Sequence, residues 1–245
     1  MIGTQKVGIL GGMGPAAGAE FVKLFVEACR AELQTRNTQV CDQVYPEHFL
    51  IQSPIPDRTA ALERGGACTD IPLIAMHSAM DKLAGMGVTS VAIACSTAHA
   101  WHGQLQEQFP GIRLLHVAKE VTSVLQSHKI ESVGLLATNG TYLSGVYEAT
   151  LADAGIKCHL PTMDERKELM RGIYDGVKGG NFVLAQRCFR AVAKAVFSRN
   201  ATRALILGCT EIPLALKEGS LGPGITLIDP ALVLAKTLAR NAYDV

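Results

Sequence analysis

The chain has 245 residues, of which 48% are hydrophobic, so it can bury a sizeable core in one large domain or two smaller ones. Its 23 basic and 22 acidic side chains nearly balance, and no Lys/Arg-rich segment is present, which argues against a nucleic-acid-binding protein. No apolar run approaches the ~20 residues that span a bilayer, and the first residues do not resemble a secretory signal. The seven cysteines include no CxxC pair and are typical of free thiols in a reducing compartment. We therefore expect a cytoplasmic protein with neither a nucleic-acid nor a membrane partner.

Predicted strands and helices alternate along the chain. Apolar, β-branched runs predict buried strands at residues 6–10, 89–94, 132–137 and 203–207. Apolar residues at helical spacing predict a helix through Phe21, Phe25 and Cys29, a second over residues 182–197 and a last one over residues 230–241. This alternation indicates an α/β fold with mostly parallel sheets.

One internal repeat divides the sequence. VGILGGMGP begins at Val7 and VGLLATNGT at Val133, and each half later has a strand that ends on a cysteine, in VAIACST and in LILGCTE. The repeat predicts two similar, pseudo-symmetric α/β domains with an active site between them. We place the first domain at residues 1–117 plus 225–245 and the second at residues 118–224.

Cys95 and Cys209 occupy equivalent places in the two halves. Each ends a predicted parallel strand, and ligands of open α/β sheets bind beyond the carboxyl ends of the strands. Ser96 and Thr97 follow the first cysteine and Thr210 the second, so we expect hydroxyl groups to cap the next helices. A helix N-terminus favours the thiolate and would therefore lower the pKa of both thiols toward neutral pH.

Two such thiols suit proton transfer at carbon, because a thiolate on one face can remove a proton while a thiol on the other face supplies one. The product is then the mirror image of the substrate. Cysteine is also a common buried residue at strand ends, so a purely structural role is the alternative.

Around these cysteines the chain resembles the aspartate/glutamate racemase family, a branch of the PLP-independent amino-acid racemases. The similarity rests on GILGGMGPAAG at the start, PIPDRTAAL around Arg58, ACSTAH around Cys95, LLATNGT in the second half and LGCTEIPL around Cys209. It implies two similar α/β domains with the substrate between them, no cofactor or metal, and a homodimer.

The resemblance also implies roles for individual residues. Cys95 and Cys209 match the catalytic pair, and the substrate-binding positions are Met13, Gly14, Arg58, Ser96, Thr97, Thr138, Lys178, Thr210 and Glu211. Among these, Thr97 and Thr210 would hold the α-carboxylate, and Arg58 and Lys178 would bind carboxylate groups. Ser96 departs from the asparagine usual in the family. Because a hydroxyl has fewer hydrogen-bonding groups than an amide, we expect this difference to affect substrate choice and affinity and not the chemistry at the cysteines.

Two other motifs have simpler explanations. Residues 12–17 fit GxGxxA after a strand, but no acidic residue closes a second strand at the distance a dinucleotide site requires. His99 and His102 could suggest a metal site, yet zinc sites need more ligands at recognisable spacing. His99 is better explained as a hydrogen-bond partner next to Cys95 or as a buried core residue.

The sequence thus predicts an isomerase that racemises aspartate, glutamate or both by proton transfer between two cysteines. A related cysteine enzyme, such as a maleate isomerase or a decarboxylase, is one alternative. A small-molecule-binding module without catalysis is the other.

Overall fold

The computed structural model describes residues 3–244, which form two compact units. Unit 1 comprises the residues up to Glu120 and those from Ala231 onward, and unit 2 is Val121–Pro230. Each unit contains one four-stranded sheet in which all pairs are parallel, with helices connecting the strands. The predicted α/β fold with two similar parallel sheets is confirmed. Within residues 3–244, no helix combines the length and apolar character needed to cross a membrane.

Unit 1 has the strand order β2-β1-β3-β4. Its strands are β1 Val7–Gly11, β2 His48–Gln52, β3 Ser90–Ile93 and β4 Arg113–Leu114. Its helices are α1 Pro15–Thr35, α2 Arg58–Arg64, α3 Asp70–Gly85, α4 His102–Gln108 and α11 Pro230–Tyr243, with 3₁₀ turns at Asp42–Val44, Gly66–Thr69 and Thr97–Trp101. Helix α5, Val117–Ser127, crosses the boundary between the units.

Unit 2 repeats this order as β6-β5-β7-β8. Its strands are β5 Ser132–Ala137, β6 Lys157–His159, β7 Ala204–Gly208 and β8 Thr226–Ile228. Its helices are α6 Asn139–Ser144, α7 Val146–Asp153, α8 Met163–Arg171, α9 Phe182–Arg199 and α10 Ile212–Ala215, with a π-helical segment at Gly172–Lys178. In both units the first strand lies between the second and the third, so the internal sequence repeat is also a repeat of topology.

The strands and helices predicted from the strongest sequence patterns match those of the structure almost residue for residue. Every residue of β1, β3 and β7 is buried, as expected for parallel strands covered on both faces. The predicted strand at 132–137 has the observed bounds, and the predicted helix at 182–197 extends to Arg199. The apolar residues of α1, Phe21, Phe25 and Cys29, are all fully buried.

Helix α11 returns to unit 1 at the end of the chain. The amide of Gln5 donates to the carbonyl oxygen of Ala242 at 2.8 Å, and Thr237 Oγ1 donates to Glu120 Oε2 at 2.9 Å. The helix therefore fixes the start of β1 and the beginning of α5 in the same unit.

Helices α8 and α9 and the π-helical segment between them share one apolar cluster with residues of β5 and β7. Leu169, Ile173, Phe189 and Val196 are fully buried there, and each large apolar side chain contributes roughly 1.5–3 kcal/mol relative to exposure. At the start of α8, Thr162 and Glu165 form a capping box, and both carboxylate oxygens of Glu165 also accept from Arg199 at the end of α9. The first turn of one helix is thus tied to the last turn of its neighbour.

Gly12 makes the turn after β1 possible. Its φ of +91° lies in the left-handed region, and a Cβ there would lie 2.0 Å from the carbonyl oxygen of Ser53. Because that oxygen belongs to the backbone, no side-chain movement could relieve the clash. The turn leads directly into Met13 and Gly14.

We predict that Gly12→Ala lowers the free energy of unfolding by more than about 3 kcal/mol or prevents folding, since conformational strain and a backbone clash act together. Gly87→Ala is the matched control, because Gly87 also has a positive φ, +75°, but has nothing within 4 Å of an added Cβ. The control should lose only about 1–2 kcal/mol in urea denaturation. Equal losses in the two variants would contradict the role given to the Ser53 contact.

Candidate active site

The carboxyl ends of the central strands bring the sequence-predicted residues of each unit to one sheet edge. In unit 1, Met13 and Gly14 follow β1, and Cys95 follows the neighbouring strand β3. In unit 2, Thr138 follows β5, and Cys209 follows the neighbouring strand β7. Each unit therefore has one cysteine beside the loop of its first strand, at the edge where open α/β sheets bind ligands.

Cys95 is buried, with 7% of its surface exposed. The amide of Ala94 donates to the carbonyl oxygen of Leu10 at 2.9 Å, so the chain remains bonded to β1 up to the cysteine. Cys95 belongs to the same apolar cluster as Met13, which is only 3% exposed. The first loop and the cysteine are thus held together by packing as well as by backbone hydrogen bonds.

The segment after Cys95 differs from the predicted capped helix. Thr97–Trp101 is a 3₁₀ turn, and the side chain of Ser96 makes no capping hydrogen bond to it. Ser96 and Thr97 are both buried, at 5% exposure. The prediction that hydroxyl groups cap an α-helix here is wrong, because the chain first takes a tighter turn in which Ser96 itself has helical backbone angles.

His99 holds the backbone of Cys95 from within this turn. Its Nδ1 donates to the carbonyl oxygen of Cys95 at 3.0 Å, and its Nε2 lies 3.3 Å from the carbonyl oxygen of Leu115. Burial, together with the nearby His116 and His102, lowers the pKa of His99 from 6.5 to about 3. The neutral imidazole thus donates one hydrogen bond to the segment after β3 and packs against the segment after β4.

His99, His102 and His116 pack against one another, with ring centroids 4.6–6.1 Å apart. Burial also lowers the pKa of His116, to about 4. The Nε2 of His102 donates to the carbonyl oxygen of Leu114 at 2.9 Å, so this nitrogen also bonds to the backbone. In the part of the chain that the structure describes, no three His, Cys, Asp or Glu side chains form a group that could hold a metal ion.

Cys209 is buried beside a carboxylate. Its Sγ donates to Glu211 Oε2 at 2.9 Å, and Thr210 Oγ1 donates to the same oxygen at 3.1 Å. Burial and then the negative charge of Glu211 raise the pKa of the Cys209 thiol well above 9.0. The prediction that a helix N-terminus lowers the pKa of this thiol toward neutral pH is therefore wrong for Cys209.

The reason is that the helix after Cys209 is short and its hydroxyl group is used elsewhere. Helix α10 has only four residues, its N-cap is Glu211, and no side chain caps it. Thr210 turns its hydroxyl group to the carboxylate rather than to the helix. The predicted helix-terminus effect on Cys209 is therefore outweighed by burial and by a neighbouring negative charge.

Lys178 approaches Glu211 from the π-helical segment. Its Nζ lies 3.8 Å from Glu211 Oε1 and 4.9 Å from the ring centroid of Tyr174, and its side chain is 36% exposed. The segment packs tightly on α9, since a Cβ on Gly176 would lie 2.8 Å from the Cβ of Ala185. Sequence reasoning missed Tyr174 and the π-helix, although the glycines at 172 and 176 are a signal of close packing there.

Arg58 links two loops of unit 1 through its guanidinium group. Nη1 donates to the carbonyl oxygens of Ile55 at 2.8 Å and Pro56 at 3.0 Å, and Nη2 donates to that of Met13 at 2.8 Å. Its Nε is buried and has no hydrogen-bond partner among the described residues. Arg58 is therefore a structural link as well as a candidate binding residue, which the sequence did not indicate.

Thr138 begins α6 at the end of β5. Its Oγ1 accepts from the amide of Thr141 at 3.3 Å, so the side chain acts as a helix cap. Behind this turn, the Tyr142 hydroxyl group accepts from the amide of Ala137 and donates to the carbonyl oxygen of Leu135. The loop after β5 is thereby fixed on the sheet edge next to Cys209.

One large cavity of unit 2 lies away from these groups. Its volume is about 660 Å³, and residues at the amino ends of β5 and β6, among them Ser132 and Lys157, line it. Because Cys209 and Thr138 lie at the carboxyl ends of the strands, this cavity is not the site defined by the cysteines.

The fold and this arrangement correspond to a known family. A family model described as Asp/Glu/Hydantoin racemase matches residues 10–238. The chain therefore belongs to the Asp/Glu/hydantoin racemase family, whose racemases are isomerases.

Individual relatives agree with this assignment. The broad specificity amino-acid racemase RacX of Bacillus subtilis is 23% identical over 94% of this chain and 95% of its own length. A glutamate racemase of Limosilactobacillus reuteri is 30% identical over 59% of this chain and 53% of its own length. Among solved structures, the aspartate racemase of Picrophilus torridus has a TM-score of 0.78 and 30% identity, with 97% of this chain and 94% of that chain covered.

The buried histidine beside Cys95 gives a prediction for stability against pH. The folded chain keeps His99 neutral down to about pH 3, whereas the unfolded chain takes up a proton near 6.5. The contribution of neutral His99 to the free energy of unfolding is therefore complete above pH 6.5. It is lost as the pH falls below that value, at about 1.4 kcal/mol per pH unit. We expect His99→Asn to reduce the slope of unfolding free energy against pH by about that amount between about pH 4 and about pH 5.5.

The control is His77→Asn in the same unit, because the His77 side chain is 40% exposed and lies 3.0 Å from Asp81. This variant should not reduce the slope. Urea titrations at several pH values measure both variants, and an unchanged slope in His99→Asn would show that His99 is not held neutral.

Proposed function

We propose that this protein racemises an acidic amino acid, aspartate or glutamate, by proton transfer between Cys95 and Cys209. The observation that carries the proposal is their matched placement, since each thiol follows the third strand of a repeated four-stranded parallel sheet. A repeat of two such units can supply one thiol to each face of a single carbon atom.

The proposed reaction needs one thiolate and one thiol. The thiolate takes the proton from Cα, and the electron pair of the broken C–H bond is left on the substrate carbanion. The thiol on the opposite face then gives its proton to Cα, so that the product is the mirror image and the two cysteines have exchanged protonation states. Both protons are held by protein groups, and the proposal therefore invokes neither PLP nor a metal.

The residues next to the cysteines support a place for the α-carboxylate. Thr97 is two residues after Cys95, and Thr210 follows Cys209 directly. Because the Thr210 hydroxyl group donates to Glu211, Thr210 would hold the carboxylate through its backbone amide. Ser96 offers one hydroxyl group where relatives of this family usually have an amide, and we propose that this changes substrate preference rather than proton transfer. Thr138 and the loop of Met13 and Gly14 would complete the walls of the site.

Arg58 supports the choice of an acidic substrate. Nη1 donates to two carbonyl oxygens and Nη2 to a third, while the buried Nε has no hydrogen-bond partner among the described residues. Nε and Nη2 share one edge of the planar guanidinium group, and we propose that this edge donates two parallel hydrogen bonds to one carboxylate. Lys178 offers a second positive charge. Its side chain is partly exposed, and its Nζ lies 3.8 Å from Glu211 Oε1.

The similarity to a broad specificity racemase makes a wider substrate range the second candidate. A panel of acidic and neutral amino acids, followed by circular dichroism, decides between the two. A maleate isomerase or a decarboxylase would not form the opposite enantiomer of any amino acid in this assay. We further propose that the protein is a cytoplasmic homodimer. Light scattering on the purified protein tests whether it is a dimer.

We expect Cys95→Ser and Cys209→Ser each to lower racemisation at least about 100-fold, because a hydroxyl group is a far weaker acid than a thiol and cannot replace it in either role. In deuterated water, each variant should still exchange the α-proton of one enantiomer through its remaining cysteine. The two variants should prefer opposite enantiomers, which proton NMR of the α-hydrogen measures.

Cys188→Ser is the matched control, since Cys188 is fully buried on α9 and has no role in the proposed reaction. It should racemise at a rate close to that of the unchanged protein. The two-base proposal is wrong if either catalytic-cysteine variant keeps the full rate, or if both exchange the same enantiomer.

We expect Arg58→Lys to raise the KM for aspartate or glutamate about 10- to 100-fold, because a lysine cannot make the bidentate contact. The KM for a neutral amino acid should rise much less. Steady-state kinetics on both kinds of substrate provide the comparison, and equal increases would mean that Arg58 acts through the loop of Met13 alone.

A further inference from the structure

The two units differ in the residue that lies two positions after each cysteine. In unit 1 this residue is Thr97, and in unit 2 it is Glu211. The two sheets have the same strand order, and a cysteine follows the third strand of each. The difference therefore gives the two thiols unlike surroundings.

Glu211 is a buried carboxylate that faces the cysteine of its own unit. It is 6% exposed, and its Oε2 accepts hydrogen bonds from both Cys209 Sγ and Thr210 Oγ1. Its other oxygen, Oε1, lies 3.8 Å from Lys178 Nζ. The hydrogen bond at 2.9 Å places the thiol proton between sulfur and a negatively charged oxygen.

We propose that Glu211 holds the proton on Cys209 in the ligand-free protein, so that Cys209 rests as the thiol and Cys95 is the base in the first proton transfer. This inference rests on the proposed two-cysteine function and assigns a resting role to each sulfur. Glu211 is a positioning residue in this scheme, because it acts on the substrate through Cys209.

Electrostatics explain the direction of the effect. A thiolate at Cys209 would lie in contact with a carboxylate in a buried environment, where two like charges repel strongly. Lys178 opposes this effect, but its ammonium group is farther away and partly solvated. Burial itself also favours the uncharged thiol, and together with Glu211 it outweighs Lys178.

The reaction then starts from a defined state. Cys95 takes the proton from Cα, Cys209 gives its proton to the opposite face, and the free enzyme is left with a thiolate next to Glu211. This state is the less stable of the two. It returns to the resting state when Cys209 takes a proton from the opposite enantiomer or from water and Cys95 gives up its own proton, to Cα of that substrate or to water.

The test measures the proton on Cys209 directly and does not need racemase activity. Iodoacetamide alkylates a thiolate to a thioether and releases iodide, and mass spectrometry of the peptide that carries Cys209 gives its rate at each pH. We expect Glu211→Gln to increase the alkylation rate of Cys209 at least about tenfold at neutral pH, which corresponds to a pKa lower by about one unit or more. Glu211→Asp, which keeps the charge, should restore slow alkylation at least in part.

The control is Glu218→Gln, which removes an exposed carboxylate of the same unit and should leave the rate unchanged. Cys188 reports on folding, because it is fully buried in the same apolar cluster and becomes alkylated only if the unit opens. If Glu211→Gln opens the unit, Lys178→Met gives the second test. Removing the opposing positive charge should slow the alkylation of Cys209 at least about threefold.

An alkylation rate of Cys209 that is the same with Glu and Gln at position 211, in folded protein, overturns the inference. So does faster alkylation in Lys178→Met. Failure of the proposed racemase function has a different signature, since loss of α-proton exchange can occur with any alkylation profile of Cys209.

Discussion

The carboxyl edge of each parallel sheet is the constraint on which the candidate site depends. Because β1 pairs with β3 and β5 pairs with β7 in parallel, the loops that follow these strands must meet at one edge. The cysteine loops and the loops of Met13 and Thr138 are thereby brought together within their own units, although they are far apart in sequence. The helices and apolar clusters keep these edges fixed, while the residues in the loops determine the chemistry.

The regular elements could be predicted from the sequence because their signals are local. Apolar runs of four to six residues specify the buried strands, and the apolar stripe of Phe21, Phe25 and Cys29 specifies the core face of α1. The tight turns at the sheet edge could not be predicted in the same way. The 3₁₀ turn after Cys95 and the four-residue helix after Cys209 depend on contacts that the sequence pattern does not reveal.

In the candidate site, too, the sequence indicated which residues to consider but not what their side chains contact. The family resemblance made the cysteines, Arg58, Lys178 and Glu211 candidates, but the sequence did not indicate that Arg58 donates to three carbonyl oxygens. It also suggested a lowered pKa for the thiols, whereas the pKa of Cys209 is raised by burial and by Glu211. Both outcomes depend on which atoms face one another, and that is decided by tertiary packing.

Two-base racemisation requires symmetry in position and asymmetry in protonation. Matched strand order provides the symmetry, because two copies of one sheet place a thiol after equivalent strands. If both thiols had identical surroundings, nothing in the protein would decide which of the two sulfurs carries the proton. A carboxylate beside only one of the matched positions, Glu211 against Thr97, favours a proton on that sulfur. The two halves of the repeat thus differ next to the cysteines, where the proposed reaction requires the two sulfurs to differ.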